Sequence, residues 1–200
     1  MNCDLFLSHP YFCSVFEEIE KAASIIRQGG IILYPTDTIW GLGCDPKNDA
    51  AVEKIIQLKK RDENKSLIVL VNAEQLLNQY VSIIPEICYD LVDLADGPLT
   101  IIYPQGKGVS KAILGDDGSI AIRMTKHDFC FKLMQKLRSG LVSTSANFSG
   151  QPAPKKFSDI SKDIINGVDY VVNLQHDQPA SKPSQIIKVG AKGEIKIIRK

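Results

Sequence analysis

The apolar positions of this 200-residue chain change their period several times along its length. Over residues 14–28, Val15, Ile19, Ala22, Ala23 and Ile26 recur at helical spacing, and Gly29 follows as a stop signal. The next run, "GIILY", is continuously apolar in the manner of a buried strand, and Pro35 ends it because proline cannot donate to a ladder. Asn48 or Asp49 can cap a second helix, "AAVEKIIQLKK", whose Val52, Ile55 and Ile56 share a face. "SLIVLV" reads as another buried strand. Asn72 can then cap "AEQLLNQY", and Pro85 suits the first position of "PEICYDLVDLA". "LTIIYP" and "SIAIRM" read as strands. Thr125 and Asp128 resemble the start of a helix, "HDFCFKLMQKL", that Gly140 ends. A helix is predicted around 157–165, and "DYVVN" after it reads as a strand. "QIIKV" and "EIKIIR" close the chain as an antiparallel pair turned at Gly193.

Helices alternate with strands and no linker or repeat divides the chain, so the pattern predicts one domain over 1–200. Its class is α+β with α/β-like layers, a mixed sheet flanked by helices. About 44% of residues are apolar and 24% charged, which excludes disordered and fibrous classes. The net charge of +1 argues against a surface devoted wholly to nucleic acid, while leaving room for a local basic cavity. The five cysteines have no C-x-x-C spacing and read as free thiols in a reducing cytosol. The N-terminus lacks the features of a secretory signal, and no apolar run reaches the roughly 20 residues that span a bilayer. A cytoplasmic protein with no membrane contact is therefore expected. Residues 175–184, "QHDQPASKPS", are polar and Pro-rich, and form either a mobile surface loop or a lid.

The common nucleotide and metal signatures are missing. There is no P-loop, no H-E-x-x-H and no G-x-S-x-G, and Gly41-Leu42-Gly43 is only a fragment of a dinucleotide fingerprint. Four constellations carry chemistry instead. "YPTDTIWGLGCDP" at 34–46 is a Pro-broken turn with hydroxyl and carboxylate caps. Lys59-Lys60-Arg61 stands at a helix C-terminus, where cations are favoured by the dipole and where they could also clamp phosphates. Arg123 ends an apolar strand and needs an anionic partner, either a protein carboxylate or a ligand. "VSTSANFSG" at 142–150 packs hydroxyls and an amide where a strand should end, more than a plain turn requires.

Together these blocks, with "LKKR", "GPLTIIY", "SIAIRMTKH" and "PSQIIKV", resemble in order and spacing the Sua5/YciO/YrdC family over about residues 15–199. The chain looks like the short, single-domain form without the C-terminal domain of the longer Sua5 type. The resemblance implies a twisted sheet around a large, concave, basic cavity. It also implies an L-threonylcarbamoyladenylate synthase, a nucleotidyltransferase that makes threonylcarbamoyl-AMP and pyrophosphate from L-threonine, bicarbonate and ATP. Mg²⁺ would arrive on the ATP phosphates, with no metal site of the protein's own. The product would serve N6-threonylcarbamoyladenosine formation on tRNAs reading codons that begin with A. Partner proteins would complete the transfer, and the chain itself could contact tRNA or other RNA.

By position in the family blocks, Lys59, Arg61, Ser145, Asn147 and Arg199 are expected at ATP, and Thr36, Arg123, Ser143 and Ser184 at L-threonine. No catalytic residue is expected, because a carbamate oxygen attacking the α-phosphate needs no protein nucleophile. Thr144 and Ser149 are read as braces of their loop, and His127 as part of a helix start. Asp62 and Ser66 stand where many relatives carry proline, Lys188 where Asp is common, and Asp37 where Glu is frequent. Competing readings are a YciO-like paralogue without this activity, an RNA-binding or ribosome-maturation protein, and a carbamoyl-transfer domain related to hydrogenase maturation. The intact S-A-N-x-S-G favours the synthase over the paralogue. Near-neutral charge and few candidate stacking aromatics weigh against the RNA reading.

Overall fold

The computed structural model describes residues 10–60 and 67–200. Its strands are β1 (Ile32–Tyr34), β2 (Gly41–Gly43), β3 (Ile68–Val71), β4 (Leu99–Tyr103), β5 (Ile120–Met124), β6 (Leu141–Ser145), β7 (Tyr170–Val171), β8 (Gln185–Val189) and β9 (Ile195–Arg199). Its helices are α1 (Pro10–Arg27), α2 (Asp49–Leu58), α3 (Glu74–Tyr80), α4 (Ile87–Asp93), α5 (Asp128–Leu137) and α6 (Lys162–Asn166). The strands form one sheet in the order β7-β1-β2-β6-β3-β5-β4-β8-β9. β1 and β7, β3 and β5, and β4 and β8 run parallel; the other neighbours are antiparallel. The mixed sheet and the antiparallel β8–β9 pair are as the apolar pattern predicts.

Register sorts the side chains of the central strands into two faces, because residues directly opposite one another share a side. On one side Val142 lies opposite Val69, Val69 opposite Ile122, Ile122 opposite Ile101, and Ile101 opposite Ile187. All five are buried. Each is worth about 1.5–3 kcal/mol relative to an exposed position, so this row anchors the register. On the other side one row runs Ser143, Ile68, Ala121, Ile102. Two residues along, a second row runs Leu70, Arg123, Thr100, Ile186, Arg199. The same period that buries Val142 and Ile122 therefore delivers Ser143 and Arg123 to one surface.

The helices form where their apolar stripes predict, with differences at their ends. α1 begins at Pro10, a turn earlier than the stripe, and stops at Gly29, whose φ of 81° only glycine adopts at little cost. Ala22 and Ala23 of α1 and Phe129, Cys130, Leu133 and Met134 of α5 are buried, and these two helices pack together. Asn48 caps α2 by accepting from Ala51 N at 3.0 Å. Asn72 does not cap α3; its amide donates to Phe131 O at 3.1 Å, tying α3's approach to α5. α5 ends at Arg138 in the left-handed conformation, two residues before the expected Gly140. The single helix predicted near 157–165 divides into a turn at Phe157–Asp159 and α6, with Ser161 capping the latter. Among the described residues no helix is long and apolar enough to cross a membrane.

β2 is a strand that the sequence pattern does not predict, since Gly-Leu-Gly has neither length nor β-branched residues. Pairing with β1 and β6 holds it, and crowding demands a glycine at position 43. A Cβ on Gly43 would lie 2.6 Å from the Tyr34 ring and 2.7 Å from Val142 O. The Tyr34 ring is fully buried and the second atom is backbone, so neither can give way. Gly43→Ala is expected to lower stability by about 1–3 kcal/mol, the usual cost of overpacking. Urea unfolding measures it, and a wild-type midpoint would show that β2 can shift.

Candidate functional site

A cavity of about 490 Å³ lies over the polar-bearing face of the sheet. Ile68, Ala121, Ile102 and Ile186 give it apolar walls, and Arg123, Ser143, Ser145, Asn147, Ser184 and Arg199 bring polar groups to it. Thr36 and Lys59 do not line it, and Arg61 lies outside the described residues. Two guanidiniums and no carboxylate are found in the described lining. Among the described residues no three His, Cys, Asp or Glu side chains converge as a metal site.

Arg123 is 4% exposed. Its Nη1 donates to Thr38 Oγ1 at 3.0 Å, and its Nη2 lies 3.1 Å from Asp37 Oδ1. A protein carboxylate is thus one answer to the buried charge. The answer is incomplete, because the contact has ion-pair distance without hydrogen-bond alignment. Arg123 Nε and Asp37 Oδ1 are both buried with no hydrogen-bond partner among the described residues. A guanidinium carries five donors and a carboxylate about four acceptor positions, so both groups retain unused capacity, and of the two only Arg123 lines this cavity.

The turn between β1 and β2 supplies these partners. Thr36 Oγ1 donates to Ile39 O at 2.7 Å and accepts from Thr38 N at 3.0 Å, so its hydroxyl shapes the turn. Thr38, 4% exposed, faces Arg123 and the cavity in its place. Sequence reasoning missed Thr38. The signal was the i, i+2 spacing in "TDT", which lets the first hydroxyl fold the turn while the second points inward.

Lys59 at the end of α2 is 1% exposed and turns under the loop that follows β6. Its Nζ donates to the carbonyls of Ser145 and Asn147, and its own carbonyl accepts from Ser149 N at 2.9 Å. The Asn147 amide donates to Phe148 O at 3.0 Å and Gln151 O at 2.7 Å, leaving its buried Oδ1 with no hydrogen-bond partner among the described residues. "VSTSANFSG" is therefore a braced loop whose cation lies beneath it, with Ser143, Thr144 and Ser145 lining the cavity.

Ser184 and Arg199 form the far wall. Ser184 Oγ is 2.8 Å from Thr100 Oγ1, and Arg199 donates to Ser184 O through Nε at 3.0 Å and Nη2 at 2.8 Å. Burial, and then the like charge of Arg123, draw the Arg199 pKa below its ordinary value. Two cations sharing one cavity favour an anionic ligand there. Lys188 points elsewhere and pairs with Asp117 on the surface.

Residues 175–184 cross the site. Ser181 N donates to Thr38 O and Ala180 N to Lys155 O, both at 2.6 Å. At the start of this strap His176 stacks on Phe157 at 3.9 Å, with the Trp40 ring 4.9 Å from that of Phe157. His127 Nε2 is 3.3 Å from Gln175 Oε1, and burial draws the imidazole below its ordinary 6.5, against the opposing effect of Gln175.

Residues 24–200 match the family model Sua5/YciO/YrdC, whose description reads "Telomere recombination". The threonylcarbamoyl-AMP synthase of Idiomarina loihiensis is 36% identical over 171 residues, covering 84% of this chain and 91% of that protein. The structure of P. abyssi Sua5 complexed with L-threonine superposes with a TM-score of 0.76 at 27% identity, over 86% of this chain. This chain spans 50% of that longer protein. E. coli YciO has a TM-score of 0.80 at 22% identity, covering 92% of this chain and 89% of its own, which is a likeness of fold.

Lys59→Met removes the donor that the Ser145 and Asn147 carbonyls share. A loss of about 2–4 kcal/mol is expected from stranding two part-buried acceptors of a charged donor. Denaturant unfolding measures it, and an unchanged midpoint would return Lys59 to a role at the ligand alone.

Proposed function

The chain belongs to the Sua5/YciO/YrdC family, and from that premise we propose that it is an L-threonylcarbamoyladenylate synthase. It condenses L-threonine, bicarbonate and ATP into threonylcarbamoyl-AMP and pyrophosphate, as a nucleotidyltransferase. The observation that carries this reading is the convergence of Arg123, Ser143, Ser145, Asn147, Ser184 and Arg199 on one cavity. They come from separate blocks of the sequence and are six of the nine residues that the family pattern nominates.

The chemistry asks little covalent work of the protein. The threonine amine and bicarbonate condense to a carbamate with loss of water, and a carbamate oxygen then attacks the α-phosphate and displaces pyrophosphate. What the site supplies is alignment of two anions and compensation of their charge. In this reading Arg123 holds the threonine carboxylate, with Ser143 and Ser184 beside it. Thr36 acts by shaping the turn that presents Thr38. Arg199, Ser145 and Asn147 meet the nucleotide, Lys59 holds the loop that carries the last two, and Arg61 is assigned to the phosphates by its motif. Mg²⁺ comes as part of the MgATP substrate. The chain works as one domain in the cytoplasm, and partner proteins pass the threonylcarbamoyl group to tRNA, with a tRNA contact of its own as a further part of the reading.

The test is pyrophosphate release from MgATP, with and without L-threonine and bicarbonate, and with L-serine as control. Release that requires both co-substrates and prefers threonine is expected. A folded protein that binds ATP without such release would be a YciO-like paralogue or an RNA-binding protein. Within the synthase, Arg123→Ala should weaken threonine binding by about 1.5–3 kcal/mol, the worth of a charged hydrogen bond. Calorimetry that finds wild-type affinity would make Arg123 purely structural.

A further inference from the structure

We propose that Asp37 and Arg123 together read the two charges of a free α-amino acid, Arg123 taking the carboxylate and Asp37 the α-ammonium. The inference rests on the reading of L-threonine as a substrate and assigns a residue, Asp37, to recognition of its amine.

The pair does not have the form of a finished structural salt bridge. Arginine–carboxylate bridges are frequently bidentate, with two parallel donors on two oxygens, which is their stronger form. Here one nitrogen, Nη2, meets Asp37 Oδ1 at 3.1 Å. A second donor, Nε, and that same acceptor oxygen are left with no hydrogen-bond partner among the described residues. A buried donor and a buried acceptor of opposite charge, side by side, cost stability and complement a zwitterion.

Position supports the same conclusion. Arg123 opens into the 490 Å³ cavity, whereas Asp37 lines a smaller hollow of about 70 Å³ with Thr36, Gln175 and Ser181. Thr38 and Ile39 line both, so the pair stands where the two spaces meet. The other charged groups that act on Asp37 and Arg123 do not displace this role. Burial holds His127 toward its neutral form, so it adds no full cation to the one that Asp37 already meets at Arg123. Arg199 acts on Arg123 with like charge, which favours an anion beside Arg123.

Selectivity follows from what each wrong ligand would strand. Asp37 and Arg123 balance each other at 3.1 Å, so a zwitterion keeps the site neutral, whereas a hydroxy acid without the amine adds an unmatched negative charge and an amine without the carboxylate an unmatched positive one. Calorimetry with L-threonine and (R)-3-hydroxybutanoate, which is threonine without its α-amine, tests the pairing. Wild-type protein should bind threonine at least about tenfold more tightly, the equivalent of one charged hydrogen bond. Asp37→Asn should lose about that factor for threonine and none for the hydroxy acid, while Asp37→Glu, which keeps the charge, should restore most of the preference. Equal wild-type affinity for the two ligands overturns the pairing without any variant. Equal weakening of both ligands in Asp37→Asn, with an unchanged melting temperature, also overturns it, since Asp37 would then only position Arg123. Wild-type protein that binds neither ligand overturns the threonine reading itself.

Discussion

A guanidinium buried on the face of the sheet is the constraint to which the surrounding elements answer. β5 is an interior strand, flanked by β3 and β4, and its period of two directs Arg123 onto the cavity face, where it is only 4% exposed. An ion in that position needs compensation, because in a medium of low polarity an unpaired charge costs several kcal/mol. The turn between β1 and β2 provides it through Asp37 and Thr38, and Thr36 spends its hydroxyl to fix that turn. The strap at 175–184 then binds the turn from outside through Thr38 O. Each element is positioned by the one before it, and the chain begins at a single arginine.

Lys59 solves the mirror problem. Here the cation lies beneath a loop, and the loop's own carbonyls are the compensating dipoles. Two buried cations therefore shape the two segments that border the cavity. In neither case is every polar atom consumed, since Arg123 Nε and Asn147 Oδ1 keep unused capacity. For a reaction that needs alignment and charge compensation rather than a nucleophile, such fixed and partly used groups are the appropriate equipment.

Much of this was legible in the sequence where the determinant is local. The long apolar runs gave β3, β4 and β5 their places, and the capping role of Asn48 followed from its position before an apolar stripe. Arg123 was conspicuous as a charge ending an apolar strand, while Ser143 and Ser184 were nominated by the family blocks alone; all three line the cavity. What stayed hidden depends on pairing with distant chain. β2 has no strand pattern of its own and exists through β1 and β6. Asn72 precedes the N-cap position, which Ala73 takes, and its amide donates instead to Phe131 O, 59 residues away. The inward turn of Lys59 was unreadable because a cation at a helix C-terminus is ordinarily solvated, and only the loop after β6 offers it a buried alternative.

Arg199 shows how far a register detail can decide a site. In β9, Ile195 and Ile197 oppose Val189 and Ile187, which belong to the apolar side of the sheet. Strict alternation would send Arg199 to that side as well. The register shifts between Ile186 and Ile187, so that Arg199 comes opposite Ile186 and Ile198 is the extra residue. Such a bulge re-aims the side chain that follows it. Arg199 thereby joins Arg123 on the cavity face, close enough for its pKa to feel that charge. Holding two like charges together is unfavourable for the protein alone, and Ser184 offsets only part of that cost through its carbonyl. The remaining imbalance is what an anionic substrate corrects, and an edge strand makes a suitable site for it because a bulge there disturbs one ladder rather than two.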